Sequence, residues 1–265
     1  MKGLAMKTYD YRVRHRVLLG DLHTPVSTYL KVRDLFPQSF LMESSDYHGS
    51  ENNRSFIGLN PLARLSVNHG VATAVFPDDS REETPVAGKE DVERVMTGFL
   101  SRFRATGEYA GYCGLYGYTA FNAVRYFESV NVPDSREDKN DAPDILYILY
   151  KYLIVFNDFK SELVLIELQA EEESSHLDEV ERAVHDRNYT TYGFRPMGET
   201  SSPITDNEHK ANVRRGIAHC LRGDVFQIVL SRRFVQKFQG DDFKLYRALR
   251  SINPSPYLFY FDFGG

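Results

Sequence analysis

Tryptophan is absent from the 265-residue chain, and cysteine occurs only twice, as Cys113 and Cys220. The two cysteines lie far apart and show no CxxC or Cys/His spacing, so the sequence indicates neither a zinc site nor a disulfide framework. No apolar run approaches the roughly 20 residues that a membrane-spanning helix needs, so we expect no membrane partner. Because the aromatic residues are 17 tyrosines and 18 phenylalanines, the protein gives little background when indole is excited at the red edge of its absorption band.

An excess of basic residues is also missing. Lys and Arg number 32 and Asp and Glu 37, which gives a net charge of −5. This balance removes the bulk attraction on which non-specific nucleic-acid binding depends, so we expect no nucleic-acid partner. Residues Met1–Lys7 are too short and too polar for the apolar region of a signal peptide, and we therefore expect a cytoplasmic protein.

Changes in composition along the chain suggest three regions. Residues 189–203 contain Gly, Pro, Ser and Thr without periodicity, which is typical of a linker or of a crossing between layers. We therefore predict an amino-terminal region over residues 1–188 and the start of a further region over residues 204–265. In this last region, Thr205 and Glu208 form a capping-box pattern, and the helix that they begin should carry an apolar stripe of Val213, Ile217, Cys220 and Leu221.

The stretch after this helix, Gly223-Asp-Val-Phe-Gln-Ile-Val-Leu-Ser-Arg-Arg-Phe234, alternates in a way that predicts a buried strand. Gln227 is then an uncharged amide among mostly apolar neighbours. A buried amide without a hydrogen-bond partner costs about 1–3 kcal/mol, so its surroundings must supply backbone, water or a ligand. From these residues alone, a hydrogen bond to a neighbouring loop is favoured over a functional role.

A glycine-rich aromatic segment, Gly111-Tyr-Cys-Gly-Leu-Tyr-Gly-Tyr118, repeats glycine at every third position. This spacing differs from the GxGxxG pattern of dinucleotide-binding loops, and the segment lacks the Lys-Ser/Thr of a phosphate-binding loop, so we reject nucleotide binding. Glycines within an aromatic strand more often indicate close approach of a neighbouring backbone.

Besides Gly223–Phe234, two further stretches are distinctive: Leu41-Met-Glu-Ser44 followed by Arg54-Ser-Phe-Ile-Gly58, and Asn253-Pro-Ser-Pro-Tyr-Leu-Phe-Tyr260. Together, these three separated stretches resemble component I of anthranilate synthase, a family of chorismate-utilising enzymes. The resemblance covers about the first half of a family member. It implies an α+β fold, with antiparallel β-sheets packed face to face and helices outside, that is incomplete at its C-terminus.

The resemblance also implies a reaction. The family converts chorismate and ammonia, which a partner glutamine amidotransferase subunit supplies from glutamine, into anthranilate and pyruvate, the first step of tryptophan biosynthesis. Its Mg²⁺ ligands and its catalytic histidine correspond to positions beyond residue 265. We therefore expect that these 265 residues alone bind no metal and have no lyase activity.

Gln227 acquires a meaning from the resemblance. In salicylate- and isochorismate-forming relatives, the matching position is a lysine that acts as the base that activates water. A glutamine side chain has no proton that titrates near neutral pH and cannot act as that base. Because ammonia is already a nucleophile, Gln227 at this catalytic position favours the ammonia-using branch of the family.

The other stretches correspond to the site at which the family binds L-tryptophan as a feedback inhibitor. An α-amino acid needs acceptors for its ammonium group, donors or a cation for its carboxylate, and an apolar slot for its ring. Without the resemblance, these residues would more simply end a strand or pack in a core. The resemblance implies an inhibitor site composed of Ser44, Pro256, Tyr257, Leu258, Glu43, Arg54 and Asn253.

Two alternatives remain open. Component I of aminodeoxychorismate synthase, in folate synthesis, also uses glutamine, but it typically carries Asp where this chain has Glu43. A tryptophan-binding regulatory module without catalysis is the second alternative. The sequence favours anthranilate synthase over both.

Overall fold

The computed structural model describes residues 7–44, 53–132 and 142–264. They divide into two compact units. The first lies within Met1–Thr190 and Ser255–Gly265, and the second is Thr191–Pro254. The predicted boundaries at residues 188 and 203 are not tested by this division and stay a prediction.

The described strands of the first unit form one ten-stranded sheet with the order β12-β2-β3-β8-β9-β1-β6. Off this path, β4 pairs with β3 and β5, and β7 pairs with β8. The described pairs are antiparallel, except that β1 and β6 run parallel. The elements of this unit are β1 (Tyr9–Leu19), α1 (Pro25–Val32), β2 (Phe40–Ser44), β3 (Ser55–Asn68), β4 (Val71–Val75), β5 (Arg81–Pro85), α2 (Lys89–Leu100), β6 (Phe103–Thr106), β7 (Leu115–Thr119), β8 (Ile145–Asn157), β9 (Glu162–Ala170), α3 (Leu177–His185) and β12 (Tyr257–Phe261).

The core of the first unit is centred on the hairpin of β8 and β9. Both strands carry mostly apolar side chains and are buried along almost their whole length, as expected for strands that are covered on two sides. The polar exceptions that are buried in β9 are Glu167 and Gln169. Side chains of β1 and β9 share one apolar cluster with side chains of β3, β4 and β8. The mixed α+β class predicted from the resemblance is therefore confirmed.

The glycine-rich segment forms a short 3-10 turn, Ala110–Tyr112, followed by β7. A Cβ atom at Gly117 would lie 1.9 Å from the carbonyl oxygen of Leu146 on the neighbouring strand β8. Any side chain at this position would force the two strands apart. The predicted close approach of backbone is thus confirmed at this glycine.

The second unit contains β10 (Phe194–Ser201), α4 (Asp206–Arg222), β11 (Val235–Gly240) and α5 (Asp242–Ile252), and β10 pairs antiparallel with β11. The predicted capping box is present at the start of α4: the Thr205 side chain accepts from the Glu208 amide, and the Glu208 side chain accepts from the Thr205 amide. Gly223 ends the helix with a left-handed φ of 80°.

The strand predicted over Gly223–Phe234 is wrong. This segment is irregular in the structure, and the Gln227 side chain is exposed rather than buried. A strand needs a hydrogen-bonding neighbour, and β10, which lies inside the predicted linker 189–203, pairs with Val235–Gly240 instead. The side chains of Ile228 and Leu230 lie against Gly216 of α4, so this segment follows the helix instead of a strand.

In the part of the chain that the structure describes, no helix is both long enough and apolar enough to cross a membrane.

Candidate functional site

A cleft of about 510 Å³ opens at one edge of the main sheet, where β2 lies between β3 and β12. The antiparallel register places Ser44 opposite Tyr257 and Glu43 opposite Leu258. On the other side of β2, Met42 lies opposite Phe56. The volume is in the range typical of small-ligand sites. The lining residues are Met42, Glu43, Ser44, Asn53, Arg54, Phe56, Tyr112, Tyr257, Leu258 and Phe259.

One wall of the cleft is polar and partly shielded from water. The Glu43 side chain is buried, and Arg54 Nη1 donates to the backbone oxygen of Asn53 at 2.9 Å and to Asn157 Oδ1 at 3.2 Å. These two bonds fix the orientation of the guanidinium group. Asn53 Oδ1 is buried and has no hydrogen-bond partner within the described ranges. Such an acceptor lowers the free energy of a bound ligand that donates to it.

The opposite wall is aromatic. The rings of Phe56 and Tyr112 lie 5.7 Å apart between centroids and are tilted at 59°. Tyr112 is held by the 3-10 turn that begins after Tyr109, which has a left-handed φ of 64°. The Tyr116 hydroxyl donates to the Tyr112 carbonyl oxygen at 2.7 Å, which fixes this turn against β7. The wall is therefore a pre-formed apolar surface.

The groups that follow Tyr112 are uncharged at neutral pH. Burial raises the pKa of the Cys113 thiol to about 11, and burial also raises the pKa of Tyr116. Because burial disfavours the ionised forms, both side chains stay protonated. The aromatic wall therefore contributes no negative charge that would repel a carboxylate held by Arg54.

Five of the seven residues predicted for an inhibitor site line this cleft, namely Glu43, Ser44, Arg54, Tyr257 and Leu258. Pro256 is exposed and precedes β12 without lining the cleft. Asn253 caps α5 and belongs to the second unit, where its amide donates to the Leu249 carbonyl oxygen at 2.9 Å.

Gln227 also belongs to the second unit and is exposed there. Its predicted catalytic role is not tested by this geometry. No group of three or more His, Cys, Asp or Glu side chains in the described part of the chain is arranged to hold a metal ion. The predicted absence of a metal site from these 265 residues and the predicted location of the magnesium ligands beyond residue 265 both stay predictions.

Sequence reasoning missed the aromatic wall and Asn53. Phe56 lies in the Arg54–Gly58 stretch, and its alternation with Ser55 and Ile57 could have placed it beside Met42. Tyr112 lies in the glycine-rich segment, which was interpreted as a strand. No local signal brings this segment to β2 and β3, because the contact depends on the way β7 pairs with β8.

The cleft therefore combines a carboxyl side chain, an unpartnered amide oxygen, an oriented guanidinium group and an apolar aromatic surface. A ligand with an ammonium group, a carboxylate and a large flat side chain would satisfy all four. Among the described lining residues, no nucleophile is hydrogen-bonded to a base.

Comparison with known proteins agrees with the fold and with the motifs. A family profile described as chorismate binding enzyme matches residues 38–265. Anthranilate synthase component 1 of Thermus thermophilus is 33% identical over 257 residues, which are 96% of this chain and 54% of that protein. The protein of the same description from Acinetobacter calcoaceticus is 30% identical, over 96% of this chain and 53% of its own length.

A solved structure, that of anthranilate synthase component I from Streptococcus pneumoniae TIGR4, superposes with a TM-score of 0.55. It is 21% identical in sequence, and the match covers 94% of this chain and 55% of that one. At this identity, the likeness concerns the fold. The chain thus spans about half the length of the curated relatives that it matches.

Proposed function

The chain belongs to the family of chorismate binding enzymes, and on that premise we propose that it carries the regulatory cleft of an anthranilate synthase component I, which binds L-tryptophan as a feedback inhibitor. The whole activity that we propose is the conversion of chorismate and ammonia to anthranilate and pyruvate, with ammonia supplied by a glutamine amidotransferase subunit. The relatives that carry this description are about twice as long as the matched region. We therefore assign the reaction to the longer protein and only the inhibitor cleft to these residues.

The observation that carries the proposal is the convergence of Glu43, Ser44, Arg54, Tyr257 and Leu258 on one cleft. These residues come from three stretches of sequence that β-pairing brings together. Their chemistry matches an α-amino acid: the Glu43 carboxylate and Asn53 Oδ1 accept from the ammonium group, and Arg54 donates to the carboxylate. The aromatic wall of Phe56 and Tyr112 then receives the indole ring.

A fluorescence titration tests this assignment directly. Because the chain contains no tryptophan, excitation at the red edge of the indole band reports the ligand with little background from the protein. We expect the anisotropy of L-tryptophan to rise saturably as protein is added. An anisotropy that stays at its free value at protein concentrations up to the millimolar range contradicts the proposed inhibitor site.

Matched ligands and variants identify the contacts. L-tryptophan methyl ester lacks the carboxylate charge and indole lacks both charged groups, so both should bind more weakly than L-tryptophan. Arg54→Gln should weaken binding of L-tryptophan about tenfold or more, because a charge-assisted hydrogen bond contributes about 1.5–3 kcal/mol. It should affect the methyl ester less. Arg187→Gln removes an exposed arginine outside the cleft and serves as the control.

Catalysis is tested in a longer protein that includes the region that the relatives have beyond this match. Chorismate and an ammonium salt should give the blue fluorescence of anthranilate, and L-tryptophan should suppress it in the native protein but not in Arg54→Gln. Formation of 4-amino-4-deoxychorismate instead would assign the chain to folate synthesis. Binding of tryptophan with no turnover of chorismate would indicate a regulatory module.

For the reaction itself, we propose that Gln227 keeps the site free of a base that could activate water. The structure leaves Gln227 exposed in an irregular segment, so this role depends on the resemblance and on the chemistry of the amide. In the longer protein, Gln227→Lys should lower anthranilate formation and produce a water-derived product. Unchanged products and rate would contradict a position at the reacting atoms.

A further inference from the structure

A second cleft, of about 450 Å³, lies at the opposite end of the strand order of the main sheet, where β6, β1 and β9 are neighbours. Three arginines line it: Arg12 and Arg14 on β1 and Arg104 on β6. Residues two apart on a strand point to the same face about 7 Å apart. The register pairs Arg104 with Asp10 and Thr106 with Arg12, so the same face continues across the two strands.

The arginines of this cleft differ from most arginines of the first unit. Elsewhere in this unit, arginine typically pairs with a carboxylate, as Arg16 does with Asp178 and Arg125 with Asp144. By contrast, Arg12 and Arg104 have no hydrogen-bond or ion-pair partner in the described ranges. Unpaired positive charges that lie close together repel one another, and an anion between them removes this cost.

Arg14 is oriented by a buried amide. Gln169, which is 9% exposed, accepts from Arg14 Nε at 2.7 Å, and its own amide nitrogen donates to the Glu173 carbonyl oxygen at 2.5 Å. The Gln169 amide is therefore hydrogen-bonded through both its oxygen and its nitrogen, and its position is fixed. It contacts the Arg14 guanidinium group only at Nε. The two terminal nitrogens of Arg14 have no acceptor among the described residues. A guanidinium group held in this way is pre-organised to bind an oxyanion with two parallel hydrogen bonds.

The acidic groups of the cleft leave a positive excess. Glu173 forms an ion pair with Lys151 at 2.7 Å. The remaining carboxylates that line the cleft are those of Asp10 and Glu171, which oppose three guanidinium groups. These two carboxylates can also accept hydrogen bonds from hydroxyl groups of a ligand.

We propose that this arginine cleft, defined by Arg12, Arg14, Arg104 and Gln169, binds a small oxyanion, in the first place a phosphate group. A tetrahedral phosphate offers oxygens in several directions and can accept from guanidinium groups on two strands at once, whereas a single carboxylate offers two oxygens in one plane. This cleft is separate from the tryptophan cleft on β2 and β12, and its lining shares no residue with it.

The test is a titration of the 265-residue chain with inorganic phosphate and, separately, with malonate, at constant ionic strength set with sodium chloride. Backbone amide shifts of residues 10–14 and 104–106 are followed by NMR. We expect saturable shifts with phosphate. Tighter binding of malonate than of phosphate would support an oxyanion site but would overturn phosphate as its ligand in favour of a dicarboxylate. No saturation by either anion at tens of millimolar would overturn the proposal.

Three variants locate the site. Arg12→Gln and Arg104→Gln each remove an exposed, unpaired guanidinium group and should weaken phosphate binding about tenfold without changing the fold. Arg187→Gln removes the same charge outside the cleft and should leave binding unchanged; an equal loss in this control would indicate non-specific attraction and overturn the site. Gln169→Leu should weaken binding by releasing Arg14, and if it misfolds, the two arginine variants decide the question.

Discussion

In the first unit, β9 buries seven consecutive residues, from Leu163 to Gln169, and its neighbour β8 is nearly as completely covered. In the second unit, the 17-residue helix α4 buries only Gly216 among its residues, and both strands of the β10–β11 pair are exposed along almost their whole length. The two units therefore maintain regular structure by different means. Tertiary packing specifies the strands of the first unit, whereas local signals must specify α4.

The apolar stripe of α4 makes the contrast quantitative. The sequence pattern predicts that Val213, Ile217 and Leu221 face a core, yet their exposed fractions are 37%, 53% and 84%. The helix nevertheless begins and ends where its caps predict, at Thr205 and Gly223. Caps and intrinsic propensity can thus fix the bounds of a helix without fixing what its apolar face contacts.

The largest effect that separates the two units is expected from truncation of a leucine. Leu165 on β9 is fully buried, whereas Leu221 is 84% exposed. Leu165→Ala should lower the free energy of unfolding by about 2–5 kcal/mol, because it removes buried methyl groups and leaves a cavity. Leu221→Ala should change it by less than about 0.5 kcal/mol. Urea denaturation followed by circular dichroism measures both.

The pair is informative in either direction. An equally large loss in Leu221→Ala would mean that Leu221 is covered in solution, and the contrast between the units would fail. A small loss in Leu165→Ala would mean that the β8–β9 hairpin can collapse around the missing side chain.

The next largest effect concerns the two cysteines, one in each unit. Burial raises the pKa of Cys113 to about 11, whereas Cys220 is exposed on α4. Only the thiolate reacts with disulfide reagents, and at pH 8 about one Cys113 side chain in a thousand is ionised. With an aromatic disulfide reagent, we expect one rapidly reacting thiol and a second that reacts roughly a hundredfold more slowly.

The assignment of the two phases follows from substitution and pH. Cys220→Ser should remove the rapid phase and leave the slow one. Because Cys113 is neutral below its raised pKa, the rate of the slow phase should continue to rise as the pH approaches 11. Two phases of similar rate would contradict the raised pKa that partial burial gives to Cys113.

Much of the first unit could be predicted from local patterns. The short apolar run Phe40-Leu41-Met42, which ends in the polar pair Glu43-Ser44, predicts β2. Thr24-Pro25 predicts the start of α1, where Thr24 accepts from the Ser27 amide. The resemblance, and no local pattern, predicted that Glu43, Arg54 and Tyr257 lie together, as they do in the cleft; the inhibitor role of these residues stays a prediction. Tyr112 was missed because its contact with Phe56 depends on non-local strand pairing, for which the sequence carries no local signal.

In the second unit, local sequence patterns predicted the structure only in part. The helix α4 was predicted from its capping box, but the strand predicted over Gly223–Phe234 is not formed, although the alternation of Phe226, Ile228 and Leu230 is clear. A period-two pattern indicates which side chains would share a face of a strand, but it does not indicate whether a neighbouring strand is present to pair with it. β10 pairs with Val235–Gly240, so the alternating segment has no partner within the described unit.

The smallest expected effect compares two helix caps of the same kind. Thr24 caps α1 and Thr205 caps α4, and each side chain accepts from the amide three residues later, at 3.1 and 3.3 Å. Replacement of either threonine by alanine removes about 1 kcal/mol of local stabilisation. The eight-residue α1 buries Thr28, Tyr29, Leu30 and Val32, so packing should keep it helical, and the loss should appear as a lower free energy of global unfolding.

In α4, burial contributes little, so Thr205→Ala should instead increase local opening. Amide hydrogen exchange in its first two turns should accelerate about fivefold, the factor that corresponds to 1 kcal/mol, while exchange in β8 and β9 stays unchanged. Thr24→Ala should show the reverse pattern, with little local change in α1 and a uniform increase in globally limited amides. The two caps have the same residue type and similar hydrogen-bond lengths, so a difference in exchange between the two variants reports the difference in burial between the helices. The same pattern of exchange in both variants would show that burial does not distinguish α1 from α4.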